Sequence, residues 1–526
     1  MGATSKTAAA ITAGPRGVLV VDLGAQYAQL IARRVREAHV WSEIAPPALA
    51  IERARGMNLG GIILSGGPAS VYGEGAPEVP AELLELGVPI LGICYGMQWM
   101  MQVLGGDVQG AAEREFGRTP IGVKKAKDIF EGVDGNTVVW MSHGDKVASI
   151  PDGFETYASS DSCEFAAVGD PGRGLFGVQF HPEVTHTVRG RDLIENFIWR
   201  VCDLAGDWTP GSIADREVEK IRVQVGEEGE VVLGLSGGVD SSVASVIVQQ
   251  AIGDRLHCIF VDNGLLRKGE REAVEKLFGN NFKMDLTVVD AKDRFLTKLA
   301  GVIDPERKRK IIGHEFVEVF REEAKRFRDA GFLGQGTLYP DVIESINVHG
   351  GNTAVIKSHH NVGGLPDDLE MELVEPLREL FKDEVRAIGR HLGLASEVVD
   401  RQPFPGPGLA VRCLGECSPE RLAVLREADH IVTSEIEAAG LHVGLWQYFA
   451  VLLPVRSVGV MGDARTYEEA CALRIVQSED AMTADWVQLP MEILARISNR
   501  ISNEVRGINR VVLDITSKPP GTIEWE

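Results

Sequence analysis

From residue 17 onward, short runs of β-branched and aliphatic residues alternate with stretches in which apolar positions recur every three or four residues. That alternation predicts strands separated by helices, the pattern of a parallel sheet covered on both faces. Val18 to Leu23 reads as the first strand, Ala25 to Glu37 as a helix, and Gly61 to Ser65 and Val88 to Ile93 as further buried strands. A polar, turn-rich bridge, Asp207-Trp208-Thr209-Pro210-Gly211, marks a boundary. Beyond it the pattern restarts: Val231 to Leu235 predicts a strand, Ser236 to Ser242 a glycine-rich turn, Val243 to Ala251 a helix, and Cys258 to Asp262 a strand. This βαβ order places ligands at the carboxyl ends of strands. Near Gln402 the pattern changes again, because Pro403, Pro405, Gly406, Pro407 and Gly408 can continue neither a helix nor an inner strand. Phe449 to Val455 and Arg510 to Ile515 then read as strands flanking helices without a βαβ unit. The expected fold is two consecutive parallel-sheet α/β domains, 17–207 and 208–402, followed by a smaller α+β domain, 403–526, behind a loose leader, 1–16.

Length agrees: 526 residues at about 150 per domain make three or four domains. The formal charge of −22 argues against a duplex-binding or membrane-surface protein, since either needs a broad basic face. It leaves room for small anionic substrates, which need only local cations. No apolar run approaches the roughly 18 residues of a membrane helix. The leader carries no signal-peptide core, and Lys6 stands where a myristoylation motif wants Ser or Thr. Seven scattered cysteines suit reduced thiols in a cytoplasm. Cys413 and Cys417 lack the second pair of a zinc site. No nucleic-acid or membrane partner is expected.

The first candidate chemistry is Gly92-Ile93-Cys94-Tyr95-Gly96, a sharp turn between a buried strand and a helix. Its glycines permit strained backbone, and the helix N-terminus favours a thiolate at Cys94. Alone, such a turn fits an inert buried cysteine as well as a nucleophile. Phe180-His181-Pro182-Glu183 decides, because side chains two apart at a strand end point the same way and Glu183 can orient His181 as the base. In Leu64-Ser65-Gly66-Gly67-Pro68, bare amides including that of Gly67 can join that of Tyr95 in an oxyanion hole.

The second is Leu235-Ser236-Gly237-Gly238-Val239-Asp240-Ser241-Ser242, whose amides and hydroxyls face an anion at a helix N-terminus. The sequence holds no Gly-Lys dipeptide, which removes the Walker-A loop and its lysine clamp. Arg307-Lys308-Arg309-Lys310 is the one dense basic run, either a solvated helix face or an anion clamp. Val355 to Gly364 reads as a moving lid that carries Lys357 to the phosphates.

The motifs GICYGMQ, SGGP and HPE together resemble a class I glutamine amidotransferase domain over residues 17–205. The resemblance implies that Cys94 attacks the side-chain amide of glutamine, His181 passes a proton to the leaving ammonia, and water releases glutamate. The SGGVDSS turn resembles that of the N-type ATP pyrophosphatases, which implies Mg²⁺ held with ATP by Asp240 and phosphate oxygens bonded by Ser236, Ser241 and Ser242. Asparagine synthetases of the glutamine-dependent kind place their cysteine second, where Gly2 stands. NAD synthetases that use glutamine carry a nitrilase-like amidase, and tRNA-thiolating enzymes need a basic surface. With FPGPGLAVR, RSVGVMGD and the terminal DITSKPPGTIEWE, the whole chain past the leader is similar to the bacterial GMP synthetases. The resemblance implies conversion of xanthosine 5′-monophosphate (XMP), ATP and glutamine to GMP, AMP, pyrophosphate and glutamate. It further implies that Arg309 and Lys518 meet the XMP phosphate, that Glu524 positions the nucleotide with Gln447, and that the C-terminal domain forms a homodimer.

Overall fold

The computed structural model describes residues 14–526 other than 26, 68–69, 74, 328–329, 348–370, 462–463, 479–480 and 482. The chain divides into two compact units between Arg216 and Glu217.

The first unit is built on a nine-stranded sheet. Its spatial order is Trp41–Ala45, Gly17–Val21, Leu59–Leu64, Ile90–Ile93, Leu175–Val178, Ala167–Asp170, Glu155–Ser159, Asp107–Val123 and Asn136–Ser149. The first five are mutually parallel, and the last four continue the sheet antiparallel. Gly17–Val21 and Ile90–Ile93 are buried throughout, as expected of strands covered on both faces. The antiparallel extension shows no such apolar run: Asn136–Ser149 intersperses its buried positions with exposed and half-buried ones. The expected helix is present as Ala28–Glu37. The bridge expected as a boundary is ordered. Trp208 is buried, stacked 4.7 Å from the Arg36 guanidinium and 4.8 Å from that of Arg216, and Pro210 opens the helix Pro210–Val225.

The second unit holds a five-stranded parallel sheet in the order Asp285–Asp290, Leu256–Asp262, Val231–Leu235, Phe332–Gly334 and Glu372–Val374. Val231–Leu235 is central, with the next strand in sequence on one side and a later one on the other. A topological switch point therefore lies at its carboxyl end. A second sheet joins Gln447–Met461 and Ala464–Gln477 antiparallel, with Asp485–Trp486 and Ile508–Asp514 beside the latter. The helices Pro419–Ala438 and Met491–Glu504 accompany it, and Ser418 caps the first by accepting from the Arg421 amide at 3.3 Å. The second and third expected domains share one hydrophobic core: Val232, Ile259 and Leu265 cluster with Leu409, Leu425, Leu452 and Ile497. The proline-rich segment is locked against the loop after the strand Leu256–Asp262 of the five-stranded sheet. The Leu409 amide donates to the Leu265 carbonyl at 2.8 Å, and a Cβ on Gly408 (φ +62°) would lie 2.5 Å from that same oxygen.

This joint is testable. Leu409→Ala should destabilise the second unit by about 2–5 kcal/mol, read as a lower urea midpoint, and the two sheets should still unfold in one transition because they share a core.

Candidate functional site

In the first unit the strand Ile90–Ile93 runs directly into the helix Tyr95–Val103. Cys94, between them, has φ 49° and ψ −104°, a conformation that an L-residue adopts only under constraint. The constraint is close backbone packing. A Cβ on Gly92 would sit 2.6 Å from the Met97 nitrogen, and one on Gly96 would sit 2.5 Å from the Leu64 carbonyl oxygen. The Cys94 amide donates to the Val178 carbonyl at 2.8 Å and that of Gly96 to the Ser65 carbonyl at 3.1 Å, which pins the elbow to both neighbouring strands.

His181 follows the strand Leu175–Val178, and its Nδ1 lies 2.7 Å from Glu183 Oε1. Its ring also interacts with the Cys94 thiol. Burial opposes a charged imidazole here, but the bonds to Cys94 and Glu183 outweigh it and push the His181 pKa up to about 10. Cys94, His181 and Glu183, singled out from the sequence, thus lie together. A Cβ on Gly67 would press on the Leu23 carbonyl at 2.9 Å and on the Tyr95 ring at 3.1 Å, so this turn abuts the elbow. The Tyr95 amide is the first of its helix and has no intrahelical acceptor.

Two glutamines escaped the sequence reading. Gln179 Nε2 lies 3.7 Å from Cys94 Sγ, and Gln98 Nε2 donates to Gln179 Oε1 at 3.2 Å and to the Asp145 carbonyl at 2.8 Å. Gln98 ends the GICYGMQ run and Gln179 directly precedes Phe180-His181-Pro182-Glu183, but nothing in their spacing says that they meet beside Cys94.

The Ser236 loop leaves the central strand Val231–Leu235 at the switch point and enters the helix Val239–Ile252, with Gly237 at φ +73°. The Ser236 and Ser241 hydroxyls lie 3.0 Å apart, and the Ser236 amide bonds Ser241 Oγ at 3.2 Å. Ser242 is buried and donates to the Gly238 carbonyl at 2.7 Å. Arg401 braces the loop through the Gly237 carbonyl at 3.0 Å and Glu270 at 2.6 Å. Asp240 Oδ2 meets Lys382 Nζ at 3.0 Å, while its buried Oδ1 has no hydrogen-bond partner among the described residues. Lys382, the first residue of the helix Lys382–His391, is a cation at this glycine-rich loop that the sequence did not single out. Lys357 and the expected lid lie outside the described residues.

The basic run lies on the helix Pro305–Ala324 and splits in two. Arg307, Arg309 and Lys310 are exposed, whereas Lys308 is fully buried, donating to the Ala410 and Cys413 carbonyls and paired with Glu526. Arg309 reaches the Glu526 main-chain oxygen at 2.5 Å. Arg412, fully buried, grips both oxygens of Glu524 at 2.7 and 3.0 Å, and Gln447 Nε2 bonds Glu524 at 3.3 Å. The structure thus brings Gln447 and Glu524 together and joins Arg309 to the same tail. Lys518 instead donates to the Ala481 carbonyl at 2.8 Å. Cys413 and Cys417 are buried and bonded to main-chain carbonyls, and no metal-ligand cluster occurs among the described residues.

Family models match three stretches: glutamine amidotransferase class-I over residues 19–201, NAD synthase over 214–310, and GMP synthase C terminal domain over 434–525. An amidotransferase followed by a nucleotide-using α/β domain defines a class of glutamine-dependent ligases. The chain is 57% identical over 509 residues to the glutamine-hydrolyzing GMP synthase of Brachyspira hyodysenteriae, covering 97% of this chain and 99% of that one. The enzyme of the same description from Carboxydothermus hydrogenoformans is also 57% identical over 509 residues, with the same coverage. That from Phenylobacterium zucineum is 56% identical over 518 residues, covering 98% and 99%. The chain belongs to the glutamine-hydrolysing GMP synthase family.

The His181 pair carries a pH signature. Because its pKa rises on folding, its contribution to stability is complete below the ordinary value of 6.5 and is lost as pH climbs through about 10. Glu183→Gln should therefore lower the unfolding midpoint of the first unit most at pH 6, and the gap from the parent should close above pH ~10; a gap independent of pH would contradict this origin.

Proposed function

We propose that the chain makes GMP by the division of labour that its two site architectures suggest. The Cys94 sulfur attacks the side-chain amide carbon of glutamine, and the C–N bond breaks as His181 gives its proton to the departing ammonia. The Tyr95 and Gly67 amides meet the oxyanion that forms on the way. Water, deprotonated by His181, then cleaves the thioester, so glutamine and water become glutamate and ammonia. The observation that carries this reading is the buried set of Cys94 on a strained elbow, His181 bonded to it, and Glu183 2.7 Å behind.

Ammonia is consumed where ATP is split. The 2-oxygen of XMP attacks the α-phosphorus, pyrophosphate leaves, and ammonia displaces AMP from the adenylated intermediate to give GMP. We assign pyrophosphate binding to the loop from Ser236 to Ser242, including the Gly237, Gly238 and Val239 amides, with Lys382 as a neighbouring cation and Lys357 as the lid cation. A magnesium ion fits this donor set, because Asp240 presents one buried carboxylate oxygen with no partner among the described residues and Mg²⁺ commonly takes one or two carboxylates plus substrate phosphates. When bound, it would neutralise charge on the pyrophosphate. XMP is assigned to Arg309, Gln447, Lys518 and Glu524. Support comes from the Gln447–Glu524 bond and from the placing of Arg309 on the same tail.

Homodimerisation through the C-terminal sheet is supported by apolar side chains left in the open. Val458 and Val460 share one side of their strand, Tyr467 stands directly across from Val458, and all three are more than half exposed. We place the enzyme in the cytoplasm, in keeping with seven buried, unpaired cysteines.

Two measurements test the reading. With XMP, ATP and either glutamine or ammonium, the parent should yield GMP, AMP and pyrophosphate, and Cys94→Ala should lose at least about 10³-fold of the glutamine-driven rate while ammonium still supports synthesis. ADP as product, or loss of both activities in a folded variant, would contradict it. Val458→Glu should shift the protein to a smaller species in sedimentation velocity; an unchanged coefficient would remove the sheet as the dimer contact.

A further inference from the structure

We propose that Gln179 is a catalytic residue of the glutamine-hydrolysing site: its side-chain amide donates to the Cys94 sulfur and holds the thiolate, with Gln98 as the residue that positions it. The proposal rests on the reading of Cys94 as nucleophile.

Gln179 follows the strand Leu175–Val178, stands two residues before His181, and is fully buried. Its backbone is fixed by donation from its amide to the Ala166 carbonyl at 2.9 Å. A buried primary amide must place an acceptor oxygen and two N–H donors. Here Oε1 accepts from Gln98 Nε2 at 3.2 Å, and Nε2 faces Cys94 Sγ at 3.7 Å, within hydrogen-bond range for sulfur. The orientation is not arbitrary. Gln98 Nε2 is already identified as the donor end by the Asp145 carbonyl at 2.8 Å. Turning the Gln179 amide over would set two NH₂ groups against each other and leave the sulfur facing an oxygen.

A thiol accepts hydrogen bonds weakly and a thiolate strongly, so an N–H aimed at sulfur favours the charged form. His181 also faces this sulfur, but it must surrender its proton to ammonia. The Gln179 amide does not titrate. It can hold the sulfur as nucleophile and again as leaving group when water cleaves the thioester. The other ionisable groups around the sulfur are Glu183 behind His181 and, from the strand Asn136–Ser149, Asp145 and His143, the latter paired with Glu115 at 2.9 Å. The ring nitrogens of His143 are taken by the Asp145 carbonyl and Glu115, and the Ser142 carbonyl, 3.7 Å from the sulfur, is an acceptor.

The test is the rate at which iodoacetamide alkylates Cys94 in the full-length chain, measured from pH 5 to 10 by peptide mass. Gln179→Met keeps the side-chain length and removes the donor; its alkylation profile should move to higher pH by about one unit, with glutamine hydrolysis falling at least about tenfold. Gln98→Met should move the profile the same way by less. A purely structural role would alter the yield of folded protein without moving the profile, so a Gln179→Met profile superimposed on the parent's overturns the proposal. Should Gln179→Met fail to fold, Gln98→Met decides by the same readout, and an unmoved profile there overturns it. A parent chain that iodoacetamide does not inactivate towards glutamine would remove the nucleophile, and this proposal with it. An inactivated parent with unmoved variants removes the Gln179 assignment alone.

Discussion

Backbone packed closer than a side chain permits holds both halves of this protein in working shape. Gly96 lies against the Leu64 carbonyl and Gly92 against the Met97 nitrogen, so the chain must turn from strand to helix within one residue, and that residue is Cys94. The positive φ at Cys94 is the result of that packing, maintained by bonds to the strands on either side. Without it the sulfur would not stand at the strand end where His181, Gln179 and the first amides of the helix converge. The Gly408 contact with the Leu265 carbonyl plays the matching part in the second unit, tying the proline-rich segment to the loop after Leu256–Asp262 and letting two sheets share one core.

The second theme is the contrast between an acidic exterior and a few buried cations. The chain carries a formal charge of −22, yet Lys308, Arg412 and Arg474 are fully buried. Each is taken up by specific acceptors: Lys308 by two carbonyls and Glu526, Arg412 by Glu524, and Arg474 by the Thr516, Thr522 and Ile523 carbonyls. Removing one partner from such a pair strands a buried charge and is costly. These cations therefore fix the path of the last dozen residues, where Glu524 lies. Arg309 is exposed and Lys518 half-buried, so neither is enclosed in this way.

Chemistry confined to a short stretch of chain was legible without the structure. A strand, a glycine turn and a helix in succession put Cys94 and Ser236 between a strand end and a helix N-terminus, and the spacing of His181 and Glu183 predicted their bond. The inner parallel strands such as Gly17–Val21, Ile90–Ile93 and Val231–Leu235 were equally plain, because burial on both faces leaves an apolar run, whereas the edge strands Asp285–Asp290 and Glu372–Val374, part exposed, carry no such run. Nor was the antiparallel extension plain, since Asn136–Ser149 intersperses its buried positions with exposed and half-buried ones and its pairing is set by a partner strand.

The amino-acid sequence by itself determined the two motifs, the strands beneath them and the family to which they point, since each depends on neighbours a few residues away. Tertiary structure alone decided which distant residues meet. Gln98 meets Gln179 and Gln179 meets the Cys94 sulfur, Lys382 reaches Asp240 from 142 positions away, and one of four consecutive basic residues turns inward while the others stay in water. It also decided that the expected second and third domains bury one core in common. Local spacing specifies the direction of a side chain, but only the packed sheet specifies what lies in that direction.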